Sequence, residues 1–402
     1  MYLFFKSIIK GIPYLLKSPF RWIFILFTVW LYRVDFMTSD TGGMAKALQV
    51  FSIFGLFLFT LKSKSNFINF TLRKFNPALK SILWLYLFAV ISTLWAYSPT
   101  FAFFLSFQNI VLIFVLFYIF SRLSDFKSME KAFVFIAMFC LLFEAILIRI
   151  IYSPNFFVHC LPAGSTAAAC ISYCIGELLT IRKTDKQRKD FLKGAIVLSA
   201  IVLITSTSSG ANISAVIGIS IALFISGKAI YASPLLLAAL FIYFNPSLYE
   251  PILLFLMPGK TMEIIEIGNG RETIWNAIIA VTMKQPMYGW GFACGERVAG
   301  DSINWNLSDA HNNYLGLFGG LGFIGVGLFI IHQIITTTFL FFKRYRIGHT
   351  GLFCAFCCAS INGYSYGYMS GKACSITVTY FAILVFSLVS LLTKTYDRRA
   401  IK

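Results

Sequence analysis

The sequence predicts an all-α integral membrane protein of about twelve transmembrane helices, with one large loop on the outer, non-cytoplasmic side. Three observations carry that prediction. Hydrophobic residues fill 58% of the 402 positions and charged residues only 12%, where an ordinary soluble domain carries roughly 25% charged residues. Apolar runs of about the 20 residues needed to cross a hydrocarbon core recur along the chain. Lys and Arg divide unevenly between the two sets of connections, as membrane topology demands.

The spans fall near 20–36, 44–61, 81–97, 101–121, 132–152, 163–181, 191–207, 211–226, 229–245, 312–332, 350–368 and 373–392. The arms around Ser206-Thr207-Ser208-Ser209-Gly210 are short, so this polar tip either projects from the membrane or is buried in the bundle. An even number of spans puts both termini on one side. With the N-terminus, 62–80, 122–131, 182–193, Lys228, 343–346 and the C-terminus assigned to the cytoplasm, 26 of the 34 Lys and Arg lie inside. The topology is therefore N-in, C-in.

The strongest anchor is Arg182-Lys183-Thr184-Asp185-Lys186-Gln187-Arg188-Lys189. The net charge of +18 would suggest nucleic acid in a soluble protein. Here topology and anionic lipid headgroups account for it, so membrane lipids are expected as partners and nucleic acid is not. The basic stretch Met1 to Pro19 enters the first span without an A-x-A-like site, and no cleavable signal is expected. Most of the nine Cys sit in apolar runs and read as small buried hydrophobes. Cys160 and Cys294 fall in outer loops, where they could be oxidised together.

Three regions follow: helices 1–9 over 1–245, the large outer loop over 246–311, and helices 10–12 over 312–402. The loop is ordered by composition. Pro251, Pro258 and Pro286 punctuate it, and Gly268-Asn269-Gly270 marks a sharp turn. Ile274, Trp275, Ile278, Ile279 and Val281 are spaced for an amphipathic helix over 271–284, which Pro286 ends. Gly289-Trp290-Gly291 then makes a tight aromatic turn, and Asp309-Ala310-His311-Asn312-Asn313-Tyr314 opens the next span. His311 is expected at the outer membrane–water boundary, on the first turn of a helix.

After His311-Asn312 come nine residues, then Gly322, two residues, and Gly325. This pattern resembles the signature of the O-antigen ligase family, whose fold and motifs are shared with O-antigen and exopolysaccharide polymerases. The Arg271-to-Trp275 spacing and Pro286…Gly289-Trp290-Gly291 are similar to the rest of that family's motif region, so the specific likeness covers roughly 265–330. The resemblance implies a GT-C-like glycosyltransferase of the bacterial inner membrane. It would move a glycan from undecaprenyl diphosphate to a sugar hydroxyl of lipid A–core on the periplasmic face, in lipopolysaccharide biosynthesis. The family's chemistry implies inversion at the anomeric carbon and no metal or other cofactor.

The residues suit that chemistry. A hydroxyl attacking an anomeric carbon benefits from a base, and His, with a reference pKa of about 6.5, can serve at neutral pH. The departing lipid diphosphate gains negative charge, which the planar, permanently charged fork of Arg271 can bind. Asp309, two residues before His311, is placed to orient the imidazole. Asn312, Trp275 and Trp290 are candidate substrate contacts, although interfacial Trp residues also serve as plain membrane anchors. The loop acids Glu263, Glu266, Glu272, Glu296, Asp301 and Asp309 are scattered, without the tight pair that would hold Mg²⁺.

Glu144 and Arg149 share one span, and an ionisable residue there is a functional candidate. Arg149 is a further candidate substrate contact. His159 reads as surface and His332 as structural. One departure stands out. Such ligases commonly carry a Ser-Arg pair at the outer end of the seventh or eighth span, whereas the matching stretch here is Thr207-Ser208-Ser209-Gly210-Ala211. Arg149, Lys46 and Lys372 are the outer-face cations that could substitute. The alternatives are a polymerase, which differs only in its acceptor, and a transporter or flippase. The last would show inverted repeats and paired broken helices, and no internal repeat is evident.

Overall fold

The protein is described by a computed structural model covering residues 76–146, 161–231 and 270–392, apart from 124, 182–184, 207, 308, 346–348 and 372, with isolated positions elsewhere. The described residues form helices, turns and irregular segments, with no strand among them. In chain order the principal helices are α1 (Pro77–Ile91), α2 (Pro99–Ser121), α3 (Phe126–Ile146), α4 (Leu161–Thr180), α5 (Lys186–Thr205), α6 (Ser209–Ile225), α7 (Arg271–Thr282), α8 (Gly295–Ser302), α9 (Asn313–Lys343), α10 (His349–Asn362) and α11 (Ser375–Leu392).

Four helical stretches, Pro77–Leu94, Pro99–Ser121, Asn313–Lys343 and Ser375–Leu392, are long and apolar enough to cross a membrane; α6 is apolar but shorter. The chain is a multi-pass helical membrane protein. The expected spans at 20–36 and 44–61 and most of 229–245 lie outside the described residues, as do Lys46, Arg149, His159, Cys160 and Lys372 and the side chain of Glu144.

Each end of the bundle follows from local chemistry. Pro77 and Pro99 begin their helices, where a missing N–H costs nothing. Asn76 caps α1 by accepting from the Leu79 N–H at 2.8 Å, and its amide donates to Ser387 Oγ on α11 at 3.2 Å. α11 is buried along nearly its whole length. α4 is rich in Ala, Ser, Gly and Cys and packs on α5, α6 and α10. A Cβ on Gly176 would stand 3.0 Å from the Gly351 Cα of α10, so small residues let the two backbones approach.

Two expectations change. The helix expected at 312–332 is α9, and it is broken at Gly322 (φ 65°, ψ −160°). Residues fifteen apart in an unbroken helix lie about 22 Å apart, yet the Tyr314 and Phe329 rings are 5.3 Å apart. The arm 313–321 therefore folds back along 323–343, and the second arm alone, about 32 Å long, supplies a straight span. The helix expected at 350–368 stops at Asn362, and 363–374 is an irregular segment packed into the bundle. His332 lies well inside the longer arm of α9, where it meets Ser81 of α1 at 2.8 Å and Tyr380 of α11 at 2.7 Å.

Candidate functional site

The large loop carries two helices, and glycines dock them onto α9. α7 begins after Gly270 (φ 77°) and runs to Thr282 with Ala277, Ile278, Val281 and Thr282 buried, close to the amphipathic helix expected at 271–284. α8 was not evident in the sequence, since two Gly and three charges occupy its eight positions. Between them, the turn through Pro286 and Gly291 lies across the break in α9. The Phe323 N–H donates to Pro286 O at 2.8 Å, satisfying a donor that the broken helix leaves without its own carbonyl, and the Trp290 N–H donates to Gly319 O at 3.0 Å. A side chain at Gly322 would strike the Met287 backbone, and one at Gly291 (φ 91°) would strike Ala96. The Gly322 of the motif is thus explained by a helix that must both reverse and admit another backbone.

His311 is placed by its neighbours. Its φ of +51° is a left-handed conformation that costs a non-glycine residue energy and persists only when its surroundings impose it. Asp309 imposes part of it: Oδ1 accepts the His311 N–H at 2.8 Å, and Oδ2 stands 3.5 Å from Nδ1. The two side chains keep 22% and 21% of their surface open. His311 precedes the helix rather than lying on its first turn, because Asn312 is the N-cap. Asn312 Oδ1 accepts from the Tyr314 and Leu315 N–H groups at 2.8 and 3.1 Å, and its Nδ2 donates to Tyr364 O at 3.2 Å.

Arg271, the first residue of α7, is half-buried close to Asp309. Burial lowers the pKa of its guanidinium, and the negative charge of Asp309 opposes that shift. Arg271, Asp309 and His311, separated by forty positions in sequence, thus face one another at one end of the α7–α9 pair. Trp275 and Trp290 hold this arrangement. The Trp275 indole N–H donates to Ala310 O at 2.9 Å and that of Trp290 donates to Val281 O at 3.0 Å. Both indole donors are therefore engaged in backbone contacts, and the rings have only their faces and edges to offer a ligand.

Sequence reasoning missed the segment 363–374 as a wall of the site. Asn313 receives the Met369 N–H at 2.8 Å and gives its own backbone N–H to Gly363 O at 2.8 Å; Tyr364 stacks on Tyr314 at 4.8 Å. The signal was the density of Gly, Ser and Tyr in Gly363-Tyr364-Ser365-Tyr366-Gly367-Tyr368-Met369-Ser370-Gly371, unusual for a span. The polar tip after α5 belongs to the buried alternative: Ser206 and Ser208 are buried, and a Cβ on Gly210 would strike Ser365.

Sequence reasoning also passed over Glu296. It is buried on α8, where burial pushes its carboxyl up to about 8 and nearby Asp309 adds to the rise. Two of the loop acids, distant in sequence, therefore come together. Glu296 and Asp309 converge, while Asp301 receives the Tyr97 hydroxyl at 3.0 Å. Among the described residues, no three His, Cys, Asp or Glu side chains gather in a way that could hold a metal ion. Cys294 is a buried free thiol.

Comparison with known proteins agrees with the motif. Among curated proteins none matches. A chain from the solved structure described as "Structural coordination of polymerization and crosslinking by a peptidoglycan synthase complex" is similar at 14% identity, over 80% of this chain and 98% of that one, with a TM-score of 0.46. Likeness at that level says nothing about activity. The family model described as O-antigen ligase matches residues 194–330, a stretch that holds Arg271, Trp275, Trp290, Asp309, His311 and Asn312 together with α5 from Gly194 onward and α6. The family to which the His311-Asn312…Gly322…Gly325 pattern points is thus the one whose model matches residues 194–330 of this chain.

Proposed function

We propose that the protein is a membrane glycosyltransferase of ligase or polymerase type, moving a glycan from undecaprenyl diphosphate to a sugar hydroxyl on the periplasmic face. The observation that carries this reading is the meeting of Arg271, Asp309 and His311 at a partly open end of the α7–α9 pair. The acceptor hydroxyl gives its proton to the His311 imidazole as its oxygen attacks the anomeric carbon. The bond from that carbon to the diphosphate oxygen breaks, and the electron pair leaves with the lipid diphosphate. Attack opposite the leaving group inverts the anomeric centre.

Asp309 faces the imidazole and stabilises it once protonated, the part a carboxylate plays beside a catalytic base. Arg271 offers a fixed cation to the diphosphate, helped by the positive end of α7. A preorganised cation of this kind can stabilise the leaving group without a metal ion. Transfer by purified protein should therefore survive EDTA. Activity lost to EDTA and restored by Mg²⁺ or Mn²⁺ would remove the task assigned to Arg271.

Lipid A–core is the acceptor of a ligase and the growing chain that of a polymerase. The stretch Ser208-Ser209-Gly210, which lacks the Arg common in ligases and packs beside Ser365, is the observation that favours the polymerase. Deletion followed by lipopolysaccharide gels separates the two. Polymerised but unligated lipid-linked chains identify a ligase, and core bearing a single repeat unit identifies a polymerase. The N-in, C-in orientation is tested by periplasm-active reporters, expected to be active near Asn269 and silent near Lys186. The reverse pattern would put the site on the wrong side for this donor.

A further inference from the structure

Glu296 takes no part in the transfer step, yet it sits where a second carboxyl is hardest to ionise. It is 4% exposed, and its Oε2 has no hydrogen-bond partner among the described residues. It forms no salt bridge there either. Arg297, its neighbour on α8, lies over the Phe101 ring, 3.5 Å from the centroid. What else surrounds Glu296 is its own backbone N–H, the Ser370 hydroxyl and Asp309.

Two glycines show how tightly these groups are drawn together. A Cβ built on Gly316 of α9 would stand 2.8 Å from Glu296 Oε1 and would strike the Ser370 hydroxyl. One built on Gly367 would strike Asp309 Oδ1 and stand 3.3 Å from Ser370 Oγ. Ser370 therefore stands close to both carboxyls, its hydroxyl donating to Gly367 O at 3.3 Å, and a side chain at either glycine would displace one of these groups. Arg297 acts on Glu296 and opposes the rise in its pKa, though less than burial and Asp309 drive it, while Arg271 from α7 and His311 from the turn before α9 act on Asp309. Tyr314 of α9 is stacked on Tyr364. Two neighbouring carboxyls, one of them buried and without an ion pair, cannot both ionise without cost, and the more buried one keeps the proton.

We propose that Glu296 is a positioning residue of the transfer site, holding the single proton of a Glu296–Asp309 carboxyl pair so that Asp309 is the anion facing His311 and Arg271. The role rests on the transfer reading above; the proton itself does not. With Glu296 neutral, Asp309 keeps the imidazole oriented and the Arg271 cation remains available to diphosphate. Ionised, Glu296 would place a second negative charge in the site, compete for Arg271, and repel the donor.

The test uses the purified full-length protein in lipid, with Glu296→Gln as the neutral mimic, Glu296→Ala as the deletion, and Ser370→Ala to remove the hydroxyl beside Glu296. Infrared difference spectra recorded through a pH titration need no substrate. Wild type should show a protonated-carboxyl C=O band that disappears as pH rises through about 8. The band should be absent in Glu296→Gln and should titrate at a different pH in Ser370→Ala. In transfer assays, kcat of wild type should fall across the same window, and Glu296→Gln should lack that alkaline fall. Glu296→Ala should lose about tenfold in kcat with KM little changed, and Gln should restore most of it.

A missing band, or alkaline profiles that coincide in wild type and Glu296→Gln, overturns the proposal even if His311→Ala is inactive. The expected band together with full transfer by His311→Ala and Arg271→Ala overturns the transfer reading, and with it the positioning role. Should Glu296→Ala fail to fold, the band and the Gln profile decide alone.

Discussion

Two charged clusters stand at opposite ends of α4 and α10, and they are built on opposite principles. At one end Arg188 of α5 forks onto Glu130 of α3 through Nε and Nη2, both at 2.6 Å, and reaches Glu177 of α4 at 2.6 Å. Tyr173 donates to Glu130 at 3.0 Å, and Glu177 accepts the Gly351 N–H of α10 at 2.8 Å. Four helices are tied by one guanidinium, with every contact short. At the other end His311 is held in a left-handed conformation, Arg271 faces Asp309 without closing an ion pair within 4 Å, and a buried Glu296 oxygen lacks a partner among the described residues. A satisfied network specifies a fold, whereas strain and unmet polar groups gather where chemistry is done.

If that contrast is sound, the two clusters should fail differently. The largest effect is expected at the open end. His311→Ala and Arg271→Ala should each lower transfer by about 10²–10⁴-fold, with membrane expression and thermal stability nearly unchanged. Normal transfer by His311→Gln, which cannot take a proton at neutral pH, would leave His311 as a positioning residue only.

The closed end should give the reverse. Arg188→Met leaves Glu130 and Glu177 buried without their cation, and removing one partner of a buried pair costs about 3–5 kcal/mol. Folded yield and Tm should drop, while the protein that still folds transfers at the normal rate. A stable, inactive Arg188→Met would erase the distinction between the clusters.

Gly322→Ala lies between these cases. It places a side chain at positive φ and against the Met287 backbone, so a loss of roughly 1–3 kcal/mol from backbone strain should come with a loss of transfer, because the α7–α8 hairpin can no longer seat. Thermal melts and transfer measured on one preparation check both.

The smallest effect expected is on pH dependence of stability. Glu296 has a folded-state pKa raised to about 8, above the ordinary Glu value of 4.5, so its contribution is whole below the ordinary value and is lost progressively as pH climbs from there to about 8. The Tm of wild type should therefore decline across that interval and that of Glu296→Gln should not. Equal declines would assign the effect to other groups.

Much of this was legible in the sequence because membrane helices declare themselves by length and apolarity. The expected 101–121, 163–181 and 211–226 fall within about two residues of Pro99–Ser121, Leu161–Thr180 and Ser209–Ile225. Arg271, Asp309 and His311 could be named because a motif of fixed spacing surrounds them. Their meeting could not be read, since it depends on the hairpin at Gly322, and a single glycine in an apolar run looks the same whether a helix passes through it or turns back. The segment 363–374 was hidden for a different reason: the apolar run of α10 was carried past Asn362 into it, and where that helix stops is set by packing against Asn313 and Tyr314.

What the sequence determined by itself was class and candidates: a helical membrane protein, and a cation and an imidazole suited to glycan transfer. Tertiary structure alone decided how those candidates are supported. Hydrogen bonds from Trp275 to Ala310 and from His311 to Asp309, and the approach of Glu296 to Asp309 beside Ser370, join residues that lie on four separate segments. Composition and spacing record what a segment prefers when taken alone, whereas burial of a carboxyl and strain at a histidine arise only when segments pack against one another.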